Sequence, residues 1–133
     1  MHVSVTRFED LRVWQKSREL AGAIYRATAA GKFARDFGLR DQIQRAAVSI
    51  MSNIAEGFGR HSRPEMRHFL AIARGSSFEV RSQLYLARDL GYLSVAEHDE
   101  LHALSDEVGR LLAAMRASLT NPKPRTEENA PST

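Results

Sequence analysis

Tetrads of the form Ser/Thr-x-x-Glu stand at three places where an apolar helical run begins: Thr6-Arg7-Phe8-Glu9, Ser62-Arg63-Pro64-Glu65 and Ser94-Val95-Ala96-Glu97. In such a box the hydroxyl accepts from the backbone N–H three residues on, and the carboxylate reaches back to the cap's own N–H, so each tetrad marks the start of a helix. Apolar residues then recur at helical intervals. Phe8, Leu11, Trp14, Ala21, Ile24, Tyr25 and Thr28 define a first helix over about 7–30, stopped by Gly31. Leu39, Ile43, Ala46, Ala47, Ile50, Ile54 and Phe58 define a second over about 39–56, ended by Gly57 and Gly59, which tolerate the left-handed backbone of a helix C-terminus. The third runs over about 63–90 to Gly91, and the fourth over about 95–119 on a seam of Leu101, Leu104, Val108, Leu111 and Met115. So short a link at Gly91 makes the last two antiparallel neighbours. The expected fold is all-α, an antiparallel up-down four-helix bundle over 7–119. It leaves a flexible N-terminus over 1–6 and a polar, proline-bearing tail over 120–133 that cannot bury enough apolar area to order itself.

Composition agrees with one soluble domain. At 133 residues, 43% hydrophobic and 26% charged, the chain has material for a single sizeable core. The absence of cysteine removes disulfides, thiol nucleophiles and Cys-ligated metal clusters together. No apolar run approaches the ~20 residues that cross a bilayer, so no membrane partner is expected and a cytoplasmic location follows by default.

The third helix carries more apolar surface than one bundle uses. With its seam on Phe69, Ala73, Ser76, Val80, Ala87 and Leu90, the residues Leu70, Ile72, Phe78, Leu84, Tyr85 and Leu86 fall on its other flanks. A helix apolar nearly all round needs cover, and a symmetric homo-oligomer supplies it, with Phe78, Leu84, Tyr85 and Leu86 as the candidate interface. The polar strip that remains is basic: Arg60, Arg67, Arg74, Arg81 and Arg88, each seven residues from the last. Sixteen of the nineteen basic residues are Arg, whose planar fork suits phosphate, and the net charge is +3. From Arg67 to Arg88 the strip spans about 31 Å, enough to meet several phosphates of RNA or DNA. Pairing with the fourth-helix acids Glu97, Asp99, Glu100, Asp106 and Glu107 across subunits is the competing explanation.

A second polar stripe, Gln42, Arg45, Ser49, Asn53 and Glu56, lies among small residues on helix 2 and reads as a close helix contact held by side-chain hydrogen bonds. Two histidine patterns invite a metal test. Glu65-x-x-His68 is the element that di-iron bundles use in two copies, and only an Asp version, Asp99-x-x-His102, supplies a second. His98 and His102 sit one turn apart without the Glu that a zinc-protease motif requires, so these histidines read as solvent-facing. Neither a metal site, a cofactor nor a catalytic residue is expected.

Several runs are familiar: Phe8-Glu9-Asp10-Leu11-Arg12-Val13-Trp14-Gln15-Lys16, Gly38 to Ile43, Ala46 to Ile50, Ser52-Asn53-Ile54-Ala55-Glu56-Gly57-Phe58-Gly59-Arg60, Phe69 to Ser76 and Asp89 to Leu93. Across about residues 7–118 the chain resembles the bacterial four-helix-bundle family encoded within intervening sequences of large-subunit ribosomal RNA genes. Met51 stands where this family usually has proline. The resemblance implies a homopentameric barrel of up-down bundles, gives Ser49, Asn53, Glu56 and Gly57 the status of motif residues, and supplies no catalytic residue. A related branch, the accessory protein of diversity-generating retroelements, binds a reverse transcriptase and nucleic acid through a basic surface. The functional expectation is therefore a non-enzymatic oligomeric adaptor for nucleic acid or a nucleic-acid-handling protein. An interaction module without a nucleic-acid role, and a metal-binding bundle using His68, His98 or His102, are the alternatives.

Overall fold

The computed structural model describes residues 5–120, and all of their regular structure is helical. A 3₁₀ turn at Phe8–Asp10 leads into α1 (Arg12–Ala27), the short α2 (Gly31–Arg35), α3 (Phe37–Gly59), α4 (Arg63–Asp89) and α5 (Val95–Thr120). The expected tail over 121–133 and most of the expected N-terminal segment lie outside the described residues.

The first expected helix is two pieces, and a short helix follows where a turn was expected. Arg7, not Thr6, precedes the opening turn, without a side-chain cap, and Leu11 is extended between that turn and α1. The break lets Phe8 meet Trp14 edge-on at 5.0 Å while Leu11 and Val13 enter the core. Gly31, at φ +69°, does not end a helix there; it opens α2, reversing the chain so that Phe33 is buried. Asp36 is a cap that spacing did not reveal, its Oδ1 accepting from Leu39 N at 3.1 Å. Its other oxygen, Oδ2, accepts from Tyr92 Oη at 2.9 Å, tying the start of α3 to the α4–α5 link.

The second helix also runs past its expected end. Gly57 lies within α3 and is buried, and the left-handed residue that turns the chain is His61, at φ +54°. Gly57 is a contact glycine: a methyl there would lie 2.8 Å from Phe69 Cβ and 2.9 Å from Met66 Sδ, so its bareness sets how closely α3 and α4 approach. Of the remaining boxes, only the one at Ser94 forms in both directions; at Ser62 the hydroxyl caps the helix, and among the described residues no return bond from Glu65 accompanies it. Ser62 Oγ accepts from Glu65 N at 3.3 Å, and Ser94 and Glu97 cap each other reciprocally, at 3.1 and 2.9 Å. Between α4 and α5, Gly91 at φ +74° and the Tyr92 N–H, donating to Ala87 O at 2.8 Å, close the end of α4.

α3 and α5 each pack on both α1 and α4. The α3 stripe is buried as read, with Ile43, Ala47, Ile50 and Ile54 fully enclosed. On α4 the expected Ala73, Ser76, Val80 and Ala87 are buried, but the seam is rotated so that Met66, Leu70, Ser77 and Leu84 also face inward, while Leu90 is exposed. On α5 it is His98, Leu101, Ser105, Val108 and Leu112. A seven-residue spacing alone fits either register, and the flanking helices decide. Each of these helices has a neighbour on both sides, so the buried face is wider than one a/d line.

Candidate nucleic-acid interface

The rotation of α4 changes which residues can meet a partner. Leu84, expected at a subunit interface, has 0% exposure within its own chain, because it faces the core with Leu70 and Val80. Phe78, Tyr85 and Leu86 stay outside at 49%, 44% and 47%, joined by Ile72 and Leu90.

The arginines divide into two groups along the helix. At the N-terminal end, Arg60 Nη2 lies 3.0 Å from Glu56 Oε1 and its Nη1 is 4.0 Å from Glu65. Arg67 donates to Leu119 O at 3.5 Å and Arg63 to Ser118 O at 3.1 Å, so these two serve the carbonyl end of α5. Further along, Arg74 and Arg81 stand over Phe78 from either side, 5.3 and 5.8 Å from its ring centre, and Arg88 stands 5.3 Å from that of Tyr85. Among the described residues neither Arg74 nor Arg81 has a carboxylate within 4.0 Å, whereas Arg88 pairs with Asp89 at 3.9 Å. The arginine strip and the exposed aromatic rings, read separately from the sequence, form one surface.

The α5 acids do not neutralise that surface within the chain. Glu107 faces α1, 3.3 Å from Arg12 and 3.9 Å from Lys16, and Asp106 pairs with Arg110 of its own helix at 3.3 Å. Glu97 is held by the Ser94 backbone N–H and hydroxyl, which keep its carboxyl below the usual carboxylate value. A groove between α4 and α5 follows, lined by Arg74, Phe78 and Arg81 on one side and Asp106, Gly109, Arg110 and Ala113 on the other. The α5 wall, with Gly109 and Arg110, escaped the sequence reading because spacing along one helix does not show which neighbour lies beside it.

The stripe on α3 is a helix contact. Ser49 and Ser76 share a hydrogen bond of 2.9 Å between α3 and α4, and Asn53 Nδ2 donates to Ser49 O at 2.8 Å and Ser49 Oγ at 3.0 Å. Glu56 stays at the surface with Arg60, and Gln42 meets Gln83 at the limit of hydrogen bonding, 3.5 Å.

The histidines need a correction. His98 is not solvent-facing: it is 2% exposed, with the Tyr85 ring 4.9 Å away and the His102 ring at 5.6 Å. His102 Nε2 lies 3.3 Å from Tyr85 Oη, and His98 Nδ1 3.4 Å from Asp99 Oδ1. His68 stands apart, edge-on to Phe69 at 5.4 Å. Among the described residues no three His, Asp or Glu side chains converge as a metal site would require. None of their helices is long and apolar enough to cross a membrane.

The description of the 23S rRNA-intervening sequence protein family matches residues 9–114. The chain belongs to that family. No curated protein matches it. Among solved structures, it is similar to a protein of unknown function from the S23 ribosomal protein family of Bacteroides thetaiotaomicron VPI-5482, crystallised at 1.70 Å resolution. The two share 26% identity and superpose with a TM-score of 0.73, over 79% of this chain and 95% of the other.

Proposed function

We propose that this intervening-sequence protein is a non-enzymatic adaptor, an antiparallel up-down bundle that assembles as a homo-oligomer and binds RNA or DNA through the arginine row of α4. One observation carries the reading: Arg74 and Arg81 are held over an exposed ring with no carboxylate partner among the described residues. Two guanidinium groups left unneutralised on a stiff helix are a preorganised polyanion site, and a chain of net charge +3 repeated in an oligomer multiplies the field. The helix pairings support the antiparallel order: Gln42, Ser49 and Gly57 meet Gln83, Ser76 and Met66.

Self-association uses the other flank of α4, where Ile72, Leu86 and Leu90 are exposed. Phe78 and Tyr85 go with the arginines instead. The family resemblance makes a pentamer the expected assembly and a reverse transcriptase, or another nucleic-acid-handling enzyme, the expected protein partner. Fluorescence anisotropy with labelled RNA and DNA at low salt tests the reading. Binding that disappears as salt rises supports it; wild-type protein that ignores both nucleic acids at low salt contradicts it and leaves a protein-interaction module.

A further inference from the structure

Resting on that nucleic-acid reading, we infer that the α4–α5 groove takes a single strand, with one unpaired base stacked at Phe78 in the groove and another at Tyr85 one heptad beyond it, while the adjoining guanidinium groups hold its phosphates. A duplex offers phosphates on its outside and keeps its bases stacked within, so a row of arginines alone would serve it. Two rings left half-exposed between those arginines have no use in that mode. They do have one if bases are unstacked, because every base presents a π-face and aromatic side chains give single strands a sequence-tolerant platform.

The arrangement suits both parts of a strand. Arg74 and Arg81 lie 5.3 and 5.8 Å from the Phe78 ring centre, so a base that stacks on the ring displaces a guanidinium from it, and the freed N–H groups are then beside that nucleotide's phosphate. Phe78 and Tyr85 are seven residues apart, about 10.5 Å along the helix, too far for two adjacent stacked bases at about 3.4 Å, so each ring takes its own base. Tyr85 is pinned from behind by His98 and His102, which fixes its ring without burying it. Opposite, Gly109 keeps the groove open. A methyl there would sit 3.5 Å from Ser77 Oγ, an ordinary contact, so helix packing does not demand glycine at this position. Asp106 also lines the groove, and Arg110 at 3.3 Å offsets its charge.

The test is anisotropy with a labelled 20-nucleotide RNA, single-stranded and annealed to its complement, against wild type, Phe78→Ala, Phe78→Leu and Arg74→Gln, with particle mass followed by light scattering. The expected results are a single strand bound at least tenfold more tightly than the duplex, and a loss of about 5- to 150-fold for the single strand in both Phe78 variants. Duplex affinity and mass should stay unchanged in those variants, while Arg74→Gln weakens both forms. Equal affinity for the two forms, with both Phe78 variants silent, overturns stacking and leaves the nucleic-acid reading standing. Variants that fall in mass and in both affinities together assign Phe78 to a subunit interface and overturn it as well. Absence of binding to either form removes both readings.

Discussion

Gly57 and Phe69 approach so closely that the α3 backbone at Gly57 has no room for a side chain: a methyl group would stand 2.8 Å from Phe69 Cβ. The Phe69 Cβ is fixed directly to the α4 backbone and cannot swing aside as the Met66 Sδ can, so relief requires one helix to move against the other. The last turns of α3 are thereby locked onto the first turns of α4, and the frame that presents the arginine row is fixed at its N-terminal end.

Gly57→Ala should therefore destabilise the protein although alanine is the better helix former. Overpacking costs about 1–3 kcal/mol, against about 1 kcal/mol of gained helix propensity. Gly59→Ala, two residues on, meets nothing within 4 Å and should leave the melting temperature unchanged or raised. Thermal denaturation of the pair separates close packing from propensity.

Asn53→Ala should cost about 1 kcal/mol, the net worth of a part-buried hydrogen bond, since Asn53 holds Ser49 in place against Ser76. Glu56→Ala should cost less than about 0.5 kcal/mol, because its pair with Arg60 is solvent-exposed. Urea titration of both variants checks the ranking; equal losses would mean that Glu56 has a buried partner in the assembly.

The Asp36–Tyr92 pair gives a pH signature. The Leu39 N–H, and then the Tyr92 hydroxyl, hold the Asp36 carboxyl below its ordinary value of 3.8. Its contribution is thus present above that value and is lost as pH falls through the lower, folded one. Tyr92 is raised above 10.0 by its hydrogen bond to Asp36, so its contribution is present below 10.0 and is lost as pH rises through the raised value. In Tyr92→Phe the acid-side decline due to Asp36 should be smaller than in wild type and complete at higher pH, since only the Leu39 N–H then holds its pKa down, and the alkaline decline due to Tyr92 should vanish. Stability measured across both limbs checks the sign.

Light scattering should report an oligomer, and Leu86→Glu should shift it toward smaller species by placing a charge on the exposed flank of α4. A wild-type particle of one chain would remove the assembly from the account.

Helix content was legible wherever the capping chemistry was local. The Ser62 and Ser94 caps read correctly because both partners of each cap lie within four residues. The start of α3 did not, because Leu39 stands three residues after Asp36 where a box would have Glu, and the second partner of Asp36, Tyr92, is 56 residues away in the chain. The motif glycine Gly57 was noticed but given the wrong task, since a glycine that ends a helix and one that admits a neighbour look alike in sequence. The arginine strip was visible from its spacing. Its fusion with Phe78 and Tyr85 into one surface was not, because both rings read as part of a subunit interface with Leu84, and only the rotation that turns Leu84 inward separates them from it.

The central claim is that Arg74 and Arg81 form a polyanion site, and the salt dependence of binding tests it most directly. Affinity for a labelled single strand, measured from low to physiological salt for wild type and the Arg74→Gln/Arg81→Gln double variant, should fall linearly on a log–log plot. The variant's slope should be shallower by about 0.7 for each phosphate that it no longer neutralises, with its mass and melting temperature retained. Equal slopes and equal affinities in the two proteins would contradict the account.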